Sequence, residues 1–364
     1  MPASLAQHGE PVVVVTGASA GVGRAVAVAF ARRGCRVALL ARSPEGLDGA
    51  AKDVAAAGGE AFELVADVSN PDDVFAAADA VVARWGRIHV WVNDAMETVV
   101  GPVDTITPQE FRRVTEVTYL GAVHGALAAL RHMRGRDEGH IIQIGSALSY
   151  RAIPLQSAYC AAKFAIRGFT DSLRAELLHD RSGIRLTMVQ LPGVNTPQFD
   201  WSHMHFSHRH QPIGSVYEPE AVAEAVVGAV EARRAPRELW LGAPTVQSII
   251  GQMIAPGFLD RYLARNAYEK QISIDPVRPG DPDELIAPDD RDHGARGRFT
   301  WRAKDSLIAV DPAYLRGGGL LAALGLLAGA FFWGRKTGGS ARTRPALSPS
   351  LPRMAGEGSR SRGF

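Results

Sequence analysis

Between residues 12 and 241 the chain alternates short apolar runs with longer amphipathic stretches, and that alternation permits very few architectures. VVVVT at 12–16 is continuously apolar, as expected of a strand buried on both faces of a sheet. Six similar runs follow: RVALLA (36–41), AFELVA (61–66), IHVWV (88–92), HIIQIG (140–145), IRLTMVQ (184–190) and ELWLG (238–242). Helix start signals lie between them. Asn70-Pro71-Asp72-Asp73 places a capping side chain, then proline, then acids in a first turn. Thr107-Pro108-Gln109-Glu110 is a capping box with proline at the first helical position. With right-handed crossovers, this order predicts an α/β fold: a doubly wound parallel sheet of seven strands in a three-layer α/β/α sandwich.

The first run leads into Thr16-Gly17-Ala18-Ser19-Ala20-Gly21-Val22-Gly23, where a helix begins. Glycines allow a tight turn and close backbone approach to a pyrophosphate. The helix N-terminus adds free N–H groups and partial positive charge. A glycine turn that follows a strand and opens a helix predicts a Rossmann-type nucleotide site. The second run ends at Ala41-Arg42-Ser43, with no acid to bind a ribose 2′-hydroxyl. Arg42 can instead pair with a 2′-phosphate through two N–H groups.

Tyr159 and Lys163 stand four residues apart in SAYCAAKFAI, a spacing that puts both on one helix face. A tyrosine ionises near 10, too high for a base at neutral pH. A neighbouring ammonium is expected to lower that value and fit the pair for proton transfer at an alcohol oxygen. Ser146 ends the run HIIQIG thirteen residues before Tyr159, at the carboxyl edge of the sheet where ligands bind.

Thr-Gly-x-x-x-Gly-x-Gly, Ser146 and Tyr159-x-x-x-Lys163 together resemble the short-chain dehydrogenase/reductase family over about residues 10–245. The resemblance implies oxidation or reduction of an alcohol or carbonyl group of a small molecule. Ser146 would hydrogen-bond the substrate oxygen, Tyr159 would act as acid/base and Lys163 would also hold the nicotinamide ribose. Arg42 after the second strand implies NADP(H) as the preferred cofactor, with NAD(H) left open. Asp67 and Val68 resemble the adenine contact, and Asn93 lines the cofactor. In Leu191-Pro192-Gly193-Val194-Asn195-Thr196, Pro192 would pack on the nicotinamide and Thr196 would bind its carboxamide. Gly193 completes that motif. Homodimers or homotetramers are implied as well.

Two departures from the family pattern stand out. Asn93-Asp94-Ala95-Met96 replaces Asn-Asn-Ala-Gly, so Met96 stands for a glycine beside the nucleotide. Thr118 falls where the family has a fourth catalytic residue, an Asn holding a water chain to the lysine. These motivate the alternative of a non-catalytic nucleotide-binding sensor or membrane scaffold with the same fold.

Residues 1–10 read as a flexible start without a signal peptide, 11–245 as the nucleotide-binding domain and 246–316 as an extension. In the extension an apolar pattern from 243 to about 274 reads as one or two helices broken at Pro256-Gly257, and 275–298 as an irregular loop. Residues 317–334 are eighteen uncharged residues, about 27 Å as a helix and marginal for a span, so the segment reads as a possible membrane helix or, alternatively, as an oligomer-contact or interfacial helix. The chain otherwise reads as cytoplasmic, anchored, if at all, by that segment. Residues 335–364 read as a disordered tail holding seven basic residues and one acid. That tail is therefore +6 and residues 1–334 are −4 within a net charge of +2, so the basic charge does not argue for nucleic acid. Two cysteines exclude a disulfide framework, and Cys160 reads as a buried thiol. His203, His205, His208 and His210 fall where the family has its substrate lid. They are expected to face solvent or substrate, with no metal, and Phe199 and Trp201 to shape an apolar pocket for a hydrophobic substrate.

Overall fold

The computed structural model of the chain describes residues 9–314, except Pro279, Ile286 and Asp290. The chain divides after Ala313, and the first unit holds the sheet and its flanking helices. The apolar segment 317–334 and the tail 335–364 lie outside the described residues. Among the described residues no helix is long and apolar enough to cross a membrane.

The expected alternation forms one sheet. Its strands are β1 (Val12–Thr16), β2 (Arg36–Ala41), β3 (Glu60–Val65), β4 (Val90–Asn93), β5 (His140–Ser146), β6 (Arg185–Leu191), β7 (Glu238–Leu241) and β8 (Ala309–Val310). The spatial order is β3-β2-β1-β4-β5-β6-β7-β8. The first seven are parallel, and the chain reverses its direction of travel across the sheet between β1 and β4. Ligands bind at such a switch point, outside the carboxyl ends of the strands.

Side chains of β1 alternate between two cores. Val13 and Val15 join Leu39 and Phe30 on one face; Val12 and Val14 join Leu40, Trp91 and Ile141 on the other. Each fully buried side chain of this kind contributes about 1.5–3 kcal/mol of transfer free energy. Helices α1 (Gly21–Ala31) and α2 (Pro44–Ala56) cover the first face. Helices α3 (Pro71–Trp85), α4 (Pro108–Val114), α5 (Gly121–Met133) and α6 (Ser157–His179) follow in the chain; α3, α5 and α6 cover the second face.

The cap signals hold. Asn70 Oδ1 accepts from the Asp72 N–H, and Thr107 and Glu110 form the reciprocal capping box. The apolar pattern after Gly242 is two helices, Ala243–Ile254 and Pro256–Asn266, with Pro256 opening the second.

Three details differ from the sequence reading. β3 is an edge strand with half its side chains open to solvent, so it is not buried on both faces. The extension supplies an eighth strand, β8, antiparallel to β7, which covers the other edge. The expected irregular loop begins late, because Ile272–Pro276 first pairs with His208–His210.

Candidate active site

The register of the sheet aligns the site. Thr16 pairs with Asn93 and Asn93 with Gln143, while Ser146, three residues beyond Gln143, pairs with Leu191, so the carboxyl ends of four strands lie staggered along one edge. Thr16 Oγ1 accepts from the N–H groups of Asp94 and Ala95 at 3.1 and 3.2 Å, tying the first turn to the one after β4.

The glycine turn is built for close approach. A Cβ on Gly17 would meet the Ala95 backbone at 2.9 Å, and one on Gly23 would meet the Gly17 carbonyl at 2.3 Å. Gly21 has φ +58°, the left-handed region where glycine is unstrained. The helix cap, Ala20, carries no side-chain hydrogen bond, and an anion at the start of α1 would take over N–H groups that other parts of the chain now hold. Gly21 N–H donates to the Gly294 carbonyl at 3.1 Å. Ser19 and Val22 lie in the same turn, and Gly23 N–H donates to Asp94. These residues fit a dinucleotide pyrophosphate.

Ser146, Tyr159 and Lys163 come together as the spacing predicts. Tyr159 lies beside Ser146, close enough for the serine side chain to act on its hydroxyl. Lys163, on the same face of α6, places Nζ 5.5 Å from the Tyr159 ring centre and donates to the Ile144 carbonyl at 2.8 Å. Ser146 and Lys163 are buried and Tyr159 is partly exposed, all at the carboxyl edge of β5. The expected effect of the lysine on the tyrosine is not what the surroundings produce. Burial pushes the Tyr159 hydroxyl above its ordinary value, and the Ser146 side chain opposes it. Burial also lowers Lys163 to about 8, against the pull of Asp94. Asp94 is itself pushed up to about 7 by burial, opposed by Lys163 and the Gly23 N–H.

Thr118 does not face Lys163. Its Oγ1 accepts from the Glu97 N–H at 2.9 Å and donates to the Glu97 carbonyl at 3.0 Å. The hydroxyl of a residue expected to hold a water chain is thus used up by main chain. Thr118 lies in a π turn, Thr115–Leu120, between α4 and α5, and it positions the segment from Asn93 to Glu97. Asn93 is held in turn by Trp91 Nε1 at 2.8 Å and by the Ala122 carbonyl at 3.2 Å.

Arg42 and Asp67 stand where the sequence reading places them, each with a partner. Arg42 Nη2 donates to Glu97 Oε1 at 2.6 Å and to the Glu284 carbonyl at 2.7 Å. Burial raises the Glu97 carboxyl to about 8, and Arg42 pulls it the other way. Asp67 accepts from Arg113 and Ser69; these bonds outweigh its burial and hold its carboxyl below the ordinary value. The Val68 carbonyl is bonded to His124 Nδ1 at 2.8 Å.

The extension reaches this cleft, which sequence reasoning missed. Asp292 is paired with Arg24 of α1, and Gly294 with Gly21. Asn195 holds the segment further on: its carbonyl accepts from Gly297 at 3.1 Å and its Oδ1 from Phe299 at 2.8 Å. Thr196 lies against Gly297, beside Pro192 and Gly193 at the end of β6. The adenosine end of the cleft is a cavity of about 80 Å³ between Arg42, Asp67, Met96, Glu97, Glu284 and Pro288. Ligand sites for molecules of this size span several hundred Å³. The cavity as it stands is therefore smaller than such a site, with Glu284 and Pro288 of the extension among its walls. No local signal marks these contacts, although the run Asp289–Asp292 carries the charge that one of them uses.

The lid departs from expectation. Phe199 is buried on Phe299 and His210, and Trp201 packs edge-on to His293. His203 and His205 turn onto Glu110 instead of facing solvent or substrate. His210 is buried and bonded to Gln156, while His208 is exposed. Cys160 is a buried thiol, as expected, its ionisation pushed up to about 11 by burial.

The short chain dehydrogenase family profile matches residues 11–203. The chain belongs to the short-chain dehydrogenase/reductase family. It is 31% identical over 293 residues to the uncharacterized oxidoreductase YxnA of Bacillus subtilis, covering 80% of this chain and 81% of that protein. Among solved structures it resembles an alcohol dehydrogenase from the archaeon Thermococcus sibiricus complexed with 5-hydroxy-NADP. That match has a TM-score of 0.57, 28% identity, and coverage of 64% of this chain and 95% of that one. It also resembles a metagenomic short-chain oxidoreductase in complex with NADP, with a TM-score of 0.53, 29% identity, and coverage of 63% and 95%. This short-chain dehydrogenase/reductase is thus an oxidoreductase with a nicotinamide-dinucleotide site.

Proposed function

We propose that the protein interconverts an alcohol and a ketone or aldehyde with NADP(H), using Tyr159 as acid/base. The observation that carries this reading is the juxtaposition of Ser146, Tyr159 and, one helical turn on, Lys163, at the carboxyl edge of the parallel sheet. Gly17, Ser19, Gly21, Val22 and Gly23 would hold the pyrophosphate, and Asp67 and Val68 the adenine. Asn93 would line the cofactor and Lys163 would hold the nicotinamide ribose, with Pro192, Gly193 and Thr196 at the nicotinamide. When bound, the nicotinamide supplies or accepts the hydride. In reduction, Tyr159 donates its proton to the oxygen that is gaining negative charge, and Ser146 donates a hydrogen bond to the same oxygen. Lys163 keeps positive charge beneath the ring, which favours the phenolate that remains. In oxidation the same groups act in reverse.

Arg42 supports NADP(H), although a 2′-phosphate must share it with Glu97 and Glu284. The expected preference for a hydrophobic substrate loses the support of the lid, since Phe199 and Trp201 pack on the protein's own rings, while the apolar segment 317–334 lies outside the described residues. Assembly as a homodimer or homotetramer goes with the family reading.

The test is a fluorescence titration with NADPH and NADH, followed by a carbonyl panel read by NADPH oxidation. Tyr159→Phe is expected to lose about 10²- to 10⁴-fold in turnover while keeping NADPH affinity within about twofold. Equal turnover in Tyr159→Phe would sink the acid/base assignment. No binding of either nucleotide by the native chain would sink the enzyme and favour a sensor or scaffold.

A further inference from the structure

His203 and His205 alternate along the lid segment that pairs with Val99–Val100, so both rings fall on one side. They converge on one carboxylate. His203 Nε2 lies 2.8 Å from Glu110 Oε1, and His205 Nε2 lies 3.1 Å from both Glu110 oxygens. The three ligand atoms all fall within 4.8 Å of one another. Glu110 is held in place by its capping box, where its Oε2 accepts from the Thr107 N–H at 2.6 Å. On the far side of the ring, His203 Nδ1 meets Asp283 Oδ2 at 2.5 Å.

We infer that Glu110, His203 and His205 form a binding site for a divalent transition metal of the zinc class, with Asp283 orienting His203. A hydrogen bond from Nδ1–H to Asp283 sets the tautomer that leaves the Nε2 lone pair free to ligate. Metal-bound histidines are commonly held by a carboxylate in this way. Two imidazole nitrogens and one carboxylate suit zinc better than magnesium or calcium, which take oxygen ligands. A tetrahedral zinc with bonds of about 2.0–2.1 Å separates its ligand atoms by about 3.3 Å, so the two nitrogen–carboxylate distances need to open by only a few tenths of an ångström. The three side chains are 14–26% exposed, which leaves water access to a fourth position. A cation here ties together the start of α4, the lid at 203–205 and, through Asp283, the extension beside Glu284. The metal is thereby a latch holding lid and extension to the core. The site shares no residue with Ser146, Tyr159 and Lys163, and the inference stands apart from the proposed oxidoreduction.

The experiment uses the untagged full chain, stripped by chelator and titrated with Co²⁺, whose visible absorption reports nitrogen and oxygen ligation. One Co²⁺ per chain is expected, displaced by Zn²⁺. His205→Gln and Glu110→Gln should each weaken binding at least about tenfold, as loss of one ligand does, and Asp283→Asn by roughly tenfold. Glutamine at 110 retains the capping box, so the Glu110→Gln variant keeps its helix start. His208→Gln, which alters an exposed histidine outside the cluster, should bind as the native chain does. The inference is overturned if the native chain takes up no Co²⁺. It is equally overturned if Glu110→Gln and His205→Gln bind it like the native chain, or if Asp283→Asn and His208→Gln weaken binding alike.

Discussion

Lys163 and Asp94 form the charge pair on which the proposed chemistry turns. Lys163 is buried and Asp94 partly so, and each limits how far burial moves the other. Lys163 is charged below about 8 and neutral above it. Loss of that charge removes the stabilisation of the Tyr159 phenolate left after proton donation. Carbonyl reduction is therefore expected to hold its rate up to about pH 8 and to fall above it. Asp94→Asn removes the carboxylate that holds the lysine up, so the falling limb should move to lower pH. A pH profile of kcat/KM on both chains checks this; a limb that stays in place or moves upward in Asp94→Asn contradicts the coupling. At this scale much was legible. Ser146, Tyr159 and Lys163 were named from spacing, because four residues on a helix and the end of a strand are local geometry. The direction of the Tyr159 shift was not, because it depends on how deeply the pair is buried, and burial is a tertiary quantity.

At the scale of elements, Thr118 shows how one hydroxyl can serve the backbone. It satisfies both the N–H and the carbonyl of buried Glu97, and so fixes the end of the segment that carries Asn93 and Asp94. Thr118→Val preserves the shape and leaves those two backbone groups unpaired. A loss of about 1–3 kcal/mol in unfolding free energy is expected, measured by urea denaturation. Unchanged stability would mean that water or a shifted backbone replaces the hydroxyl without cost. The starts of α3 and α4 were legible because capping is a contact within four residues. The π turn was not, since its irregularity is decided by what α4 and α5 pack against.

At the scale of the whole molecule, the extension closes around the cofactor cleft. Glu284 brings a second carboxylate and a carbonyl to Arg42, in competition with a 2′-phosphate. Glu284→Gln is expected to tighten NADPH a few-fold and to leave NADH unchanged, because one partly buried charge contact is worth about 1 kcal/mol or less. Parallel fluorescence titrations decide it; equal gains for both nucleotides would assign the effect to loosening of the extension rather than to charge.

The sequence by itself determined the seven parallel strands, the phosphate-cradling turn and the tyrosine–lysine pair. Each rests on periodicity or on spacings of a few residues, where the chain's own geometry dictates which side chains meet. Tertiary structure alone decided that Arg42 meets Glu284, 242 residues away, that Gly294 reaches Gly21, and that two lid histidines close on Glu110. Such contacts require distant segments to be brought together by burial of the whole core, and no local pattern encodes which polar groups then find one another.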